Sequence, residues 1–172
     1  MADGSLKSIK PIELVLDQSV SKQWVDLIGR LILDFGAIEL LTYKWIHGLK
    51  KDERLLFESL DMTLKSRIDL IKKFISSLTI DKNLKDKVKA KWNKVKEISK
   101  LRNIIAHNPL IFVWKGKEEG PPDAIGIPKL RQLKKSSITQ AISLIELQDS
   151  IDELARIVKE LHQDLDSITK LI

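Results

Sequence analysis

The chain contains no cysteine. Disulfides, thiolate nucleophiles and Cys-based zinc sites are therefore excluded, and the composition suits a reducing, cytoplasmic setting. Glycine and proline are also scarce, at seven and five among 172 residues. Long loops are not expected. The glycines are scattered, so there is no phosphate-cradling glycine loop and no Gly-x-Ser-x-Gly elbow. Two of the three histidines, His47 and His162, have no partner at metal-ligand spacing, and there is no H-E-x-x-H pattern. No metal and no cofactor is expected. Long apolar runs are missing too. The longest candidate, "LIGRLILDFGAIELL", is broken by Arg30, Asp34 and Glu39, short of the roughly 18 uninterrupted residues of a membrane span. The opening "MADGSLKSIK" is polar where a secretion signal needs an apolar core. Neither a signal nor a membrane partner is expected.

Apolar residues make up 43% of the chain and charged residues 31%, the balance of a folded soluble domain rather than a disordered one. The length suits one domain with a real core. The reading is a lead-in over 1–18 and one domain over 19–172. The net charge of +6 is unevenly spread. Residues 82–100, "KNLKDKVKAKWNKVKEISK", hold eight lysines against Asp86 and Glu97, and the rest of the chain is balanced.

Apolar periodicity predicts an all-α, up-and-down helical bundle. A helix from about Ser21 to His47 places Trp24, Ile28, Leu31, Phe35, Ile38, Trp45 and Ile46 on one face, with Gly48 as its stop. "DERLLFESL" suggests a short helix. "DMTLKSRIDLIKKFISSL" suggests a third, capped by Asp61 or Thr63. A fourth runs from about Asp81 to Asn108 and stops before Pro109. "LIFVW" and "AIGIP", separated by turn-rich "KGKEEGPPD", predict a small β-hairpin at about 110–128, inserted before a long C-terminal helix. That last helix is expected to begin near Ser136 or Ser137, with Ser137 and Gln140 as a capping box. Leu144, Leu147, Ile151, Leu154, Val158, Leu161, Leu165, Ile168 and Ile172 step by three and four along it. Such a period fits either packing within the bundle or a dimer seam. The four tryptophans read as core or rim residues; Trp114, in the hairpin, is the one to test for base stacking.

The end of the fourth helix, "SKLRNIIAHNPLIF", concentrates the chemistry. On an ideal wheel with Leu84 at zero, Val88, Trp92, Val95, Ile98 and Ile105 form the apolar face. Asn103 falls near roughly 100° and His107 near roughly 140°, ending a stripe of Lys85, Lys89, Lys96 and Lys100. Arg102 falls near roughly 0°, in the apolar face. A guanidinium does not lose its charge, so in such a place it needs an anion. On the first helix, with Trp24 at zero, Glu39 falls near roughly 60°, also beside apolar residues. Arg102 is therefore expected beside Glu39, with Gly36 allowing a close helix approach. His107 has a bland alternative as a C-terminal histidine favoured by the helix dipole. The lysine stripe has one as a solvated face.

The stretch "RNIIAH" resembles the signature of the HEPN superfamily (higher eukaryotes and prokaryotes nucleotide-binding). In that family four to six residues separate an arginine from a histidine, and Asn often follows the arginine. Here four residues separate Arg102 from His107, and Asn103 follows. The bundle over roughly Ser21–Asn108 plus the last helix resembles the family's layout; the hairpin lies outside it. Where a nucleotidyltransferase-paired subgroup carries Tyr two residues after the histidine, this chain has Pro109. The resemblance implies a metal-independent endoribonuclease of toxin or defence type, acting as a homodimer on RNA, with an antitoxin or regulatory protein as partner. Arg102, His107 and Asn103 would be its catalytic residues, and Lys89, Lys96 and Lys100 would hold RNA. The alternative is a non-catalytic helical interaction module in which the motif is structural.

Overall fold

In the computed structural model the backbone is described for residues 18–107, 110–113, 123–126 and 141–172, and side chains for 22–106 and 142–172. The lead-in, Trp114 and the Ser137–Gln140 pair lie outside the described residues. Among the described residues, five helices carry the fold: α1 (Gln18–Lys50), α2 (Glu53–Leu60), α3 (Leu64–Ser77), α4 (Lys82–His107) and α5 (Leu144–Thr169). The helices α1, α3, α4 and α5 pack as a bundle in which each touches its neighbours, and α2 lies against α1. Between α4 and α5, β1 (Leu110–Val113) pairs antiparallel with β2 (Asp123–Gly126), Leu110 opposite Gly126. On its other side β2 pairs with β3 (Ala141–Ile142). Residues 114–122, which would close β1 onto β2, lie outside the described residues, and so does the 110–128 hairpin as a whole unit.

The helix ends follow from local chemistry. Asp52 and Thr63 cap α2 and α3, each accepting a first-turn N–H at 3.2 Å. Asp81 accepts from Leu84 N at 2.9 Å and starts α4. The helix α5 starts at Leu144, not near Ser136. Its capping box is Ser143 with Glu146: the hydroxyl accepts from Glu146 N at 3.1 Å, and the Glu146 carboxylate accepts from Ser143 N at 2.9 Å. Gly48 does not stop α1. The helix runs on to Lys50 and ends where Lys51 turns left-handed, at φ 52°. Gly48 serves packing instead. A Cβ there would stand 3.0 Å from Leu165 Cδ1 and 3.3 Å from Thr169 Cγ2, so its missing side chain lets α5 lie against α1. Gly36 plays no such part, for a Cβ there would meet nothing within 4 Å.

The core is built on three fully buried tryptophans, Trp24, Trp45 and Trp92. The rings of Trp45 and Trp92 meet edge to face, with centroids 5.9 Å apart. The apolar face of α5 packs inside the chain. Leu147, Ile151, Leu154, Ile157, Leu161, Leu165 and Ile168 are buried between α1 and α4, each contributing about 2 kcal/mol of transfer free energy. The periodic seam is thus the protein's own core. It is also broader than a coiled-coil stripe: Ile157 is buried while Val158 is half-buried. A helix gripped by two neighbours buries a wider arc than one facing a single partner.

Candidate functional site

Three helices converge on one carboxylate. From α1 come Phe35, Glu39, Thr42 and Tyr43, from α3 comes Arg67, and from α4 comes Arg102. Arg67 Nη2 lies 3.4 Å from Glu39 Oε2, and Arg102 Nη2 lies 3.5 Å from Glu39 Oε1. One anion thus faces two guanidinium groups, leaving a formal charge of +1 in a partly enclosed place.

The two arginines are held very differently. Arg67 is buried, with its side chain 4% exposed. Its Nε donates to Thr42 Oγ1 at 2.9 Å and its Nη1 to the Met62 carbonyl at 2.6 Å. The Thr42 hydroxyl in turn donates to the Glu39 carbonyl at 2.6 Å. The guanidinium carbon sits 4.5 Å from the centroid of the Tyr43 ring, a cation–π contact. Arg102 has looser company. Its 3.5 Å approach to Glu39 is at the limit of a hydrogen bond, and its guanidinium carbon is 5.3 Å from the Phe35 centroid. Its Nε is buried without a hydrogen-bond partner among the described residues. The side chain remains 19% exposed, so the group opens to solvent while one donor stays unused.

Arg67 was absent from the sequence-level candidates. A signal was there, since Leu64, Arg67, Ile68, Ile71 and Ile75 step through α3 at helical spacing. A permanent cation in an apolar stripe is the same anomaly that singles out Arg102.

The other candidate residues lie apart from this cluster. Asn103 is exposed; one residue on from Arg102, it is turned by about 100° and cannot share its face. His107 is the last residue of α4, and its side chain lies outside the described residues. Five residues of ideal helix separate its backbone from that of Arg102, about 7.5 Å of rise and about 140° of turn.

Three of the eight lysines in residues 82–100 are paired with carboxylates of neighbouring helices. Lys96 donates to both oxygens of Asp69 on α3, at 2.8 and 3.0 Å. On the opposite side, Lys91 lies 2.8 Å from Asp164 and 3.1 Å from Glu160, and Lys94 lies 3.1 Å from Glu153, all on α5. Burial works against the charge on Lys91, but its hydrogen bonds to Asp164 and Glu160 outweigh that and raise its pKa. The hydrogen bond from Lys91 holds the Glu160 carboxyl below its ordinary range. Lys89 is half-buried and Lys100 is exposed.

A groove of about 460 Å³ runs between α4 and α5. Glu97, Glu146, Asp149 and Glu153 line it beside Lys94 and Lys100, so its carboxylates outnumber its cations. That balance opposes a phosphate there, and the Arg67–Glu39–Arg102 cluster has the better electrostatics for an anion. No three His, Asp or Glu side chains among the described residues gather as metal ligands. No helix among them is long and apolar enough to cross a membrane. The chain matches no family model, no curated protein and no solved structure.

Proposed function

We propose that this protein is a HEPN-like, metal-independent endoribonuclease of toxin or defence type, acting as a homodimer on RNA. The observation that carries the reading is the pair of guanidinium groups sharing Glu39, with Arg102 solvent-reachable and its Nε unused. A phosphodiester oxygen supplies the missing acceptor. Arg67 stays on Glu39 and Thr42, while Arg102 swings onto the phosphate and stabilises the charge that grows on its oxygens.

In the reaction the RNA's own 2′-hydroxyl attacks the adjacent phosphorus. The P–O5′ bond breaks, leaving a 2′,3′-cyclic phosphate and a free 5′-hydroxyl. His107 takes the proton from the 2′-hydroxyl, a task suited to an imidazole with a pKa near roughly 6.5, and an imidazolium from the pair of copies gives a proton to the departing O5′. Asn103 orients the ring or the phosphate. One arginine and one histidine make a thin site, so two copies pair to line one groove with both motifs. Lys100 and Lys89 hold the RNA backbone. Lys96 joins them by exchanging Asp69 for a phosphate. An antitoxin or regulatory protein would cover the same cationic surface.

The second reading, a non-catalytic interaction module, draws on the same ion pairs: Glu39 already answers Arg102, and Asp69 already answers Lys96. Purified protein incubated with mixed RNA in EDTA separates the two. The expected result is cleavage to cyclic-phosphate ends by the wild type and none by Arg102→Ala or His107→Ala. Equal behaviour of all three proteins rejects the nuclease.

A further inference from the structure

The outer face of α1 carries apolar residues that the bundle leaves in solvent. Val25 is 67% exposed, Ile32 42%, Leu33 76% and Leu40 57%. On an ideal wheel these four, with Gly29 and Gly36, fall within roughly 100° of arc, on the side away from the buried face of the helix. No charged residue lies in that arc between Val25 and Leu40. A Cβ at either glycine would meet nothing within 4 Å. Neither glycine is therefore required by packing inside the chain, although each weakens the helix by about 1 kcal/mol relative to alanine. Scattered exposed apolar residues need no explanation, but a continuous uncharged strip about 22 Å long, with two glycines seven residues apart, does.

We propose that this strip is where a second copy of the chain docks, with the two α1 helices antiparallel about a two-fold axis beside Ile32 and Leu33. The sequence is self-complementary in that register. Val25 falls opposite Leu40 of the other copy, Gly29 opposite Gly36, and Ile32 opposite Leu33. Each apolar residue meets another, and each glycine meets a glycine where the backbones come closest. The edges agree in charge. Asp26 and Lys44 lie on the same edge of α1, near opposite ends of the strip. Antiparallel pairing brings each towards the other's counterpart, offset by about 7.5 Å of rise, a gap a lysine stem can bridge. The strip covers less than the roughly 800 Å² per partner of a standard interface, so the dimer dissociates on dilution.

The inference gives a surface to the two-copy reading above but stands on the strip alone. Glu39 borders the strip beside Ile32. A two-fold axis lying in the interface keeps both Glu39–Arg102 clusters on the same edge of the dimer, with the two Glu39 backbones about 20 Å apart along the helices.

Sedimentation over a concentration series, with circular dichroism on the same samples, tests it. Wild type is expected to run as a monomer–dimer equilibrium. Leu33→Glu is expected to be monomeric with unchanged helicity. Gly36→Ala is expected to raise the melting temperature of the monomer yet weaken association several-fold, because the added methyl fits the free chain and obstructs the crossing. The chain has no cysteine, so single cysteines report the register. Ile32→Cys and Leu33→Cys should each cross-link two copies under mild oxidation, and Val25→Cys should not. A monomer at every concentration overturns the proposal. So does a dimer that survives Leu33→Glu, or efficient cross-linking of Val25→Cys. RNA cleavage does not enter the readout, so loss of the nuclease leaves the dimer standing; a dimer that forms through another surface overturns the strip without touching the nuclease, and a monomer at every concentration removes both.

Discussion

Replacing Arg67 with methionine separates the structural arginine of the cluster from the spare one. Arg67 is 4% exposed and makes two hydrogen bonds shorter than 3 Å, to Thr42 Oγ1 and the Met62 carbonyl, besides its 3.4 Å approach to Glu39. Hydrogen bonds from a charged donor contribute about 1.5–3 kcal/mol each. Losing two would cost about 3–6 kcal/mol. Methionine refills much of the volume, and the Thr42 hydroxyl keeps its bond to the Glu39 carbonyl, so we expect a net loss of about 3 kcal/mol. For a domain of this size that lowers the melting temperature by about 6–12 °C. Arg102→Met removes a single 3.5 Å contact from a side chain that is 19% exposed, and should cost less than about 1 kcal/mol. Arg67→Lys should not rescue, since an ammonium lacks the planar fork that reaches three acceptors, two on α1 and one in the α2–α3 connection. Thermal and urea unfolding followed by far-UV circular dichroism measures all three. The reasoning fails if Arg67→Met unfolds within about 0.5 kcal/mol of wild type, or if Arg102→Met costs as much as Arg67→Met.

Two further outcomes follow from other parts of the bundle. Gly48→Leu should destabilise by about 1–3 kcal/mol by forcing α5 off α1, because even a Cβ at that position stands 3.0 Å from Leu165; urea titration reads the loss. Burial pushes the Asp34 carboxyl above its ordinary value of 3.8, against a smaller opposing pull from Arg30. The folded state therefore holds that proton more tightly than the unfolded state. The penalty is fully present above the folded pKa and fades as the pH falls towards 3.8. Asp34→Asn should raise the melting temperature at pH 7 and give a shrinking gain as the pH falls towards that value, which melting curves across pH would show.

The helical bundle, the order of the long helices and most of the core followed from apolar spacing. A residue such as Trp92 or Leu154, placed every third or fourth position, has one stable destination. The proximity of Arg102 and Glu39 had a sequence-level argument because each interrupts an apolar face with a charge, and the structure has them 3.5 Å apart. Arg67 carried the same signal on α3 and required the same test. The start of α5 lay in a second candidate capping box, Ser143 and Glu146, six residues on from Ser137 and Gln140.

What spacing along one chain could not determine is which element answers which. The charge excess of residues 82–100 is a property of the sequence. Its partial neutralisation by Asp69, Glu153, Glu160 and Asp164 depends on where α3 and α5 come to rest. The same holds for the two glycines. Gly48 and Gly36 are identical as letters, yet a methyl on one would press Leu165 and a methyl on the other would meet open space. It holds too for the stripe on α5, whose period suits a second copy or its own bundle equally well until α1 and α4 are seen to fill it. Periodicity records that a face is apolar. The partner of that face, and so the burial of each charge beside it, is fixed by contacts between residues far apart in the chain, and those exist only once it has folded.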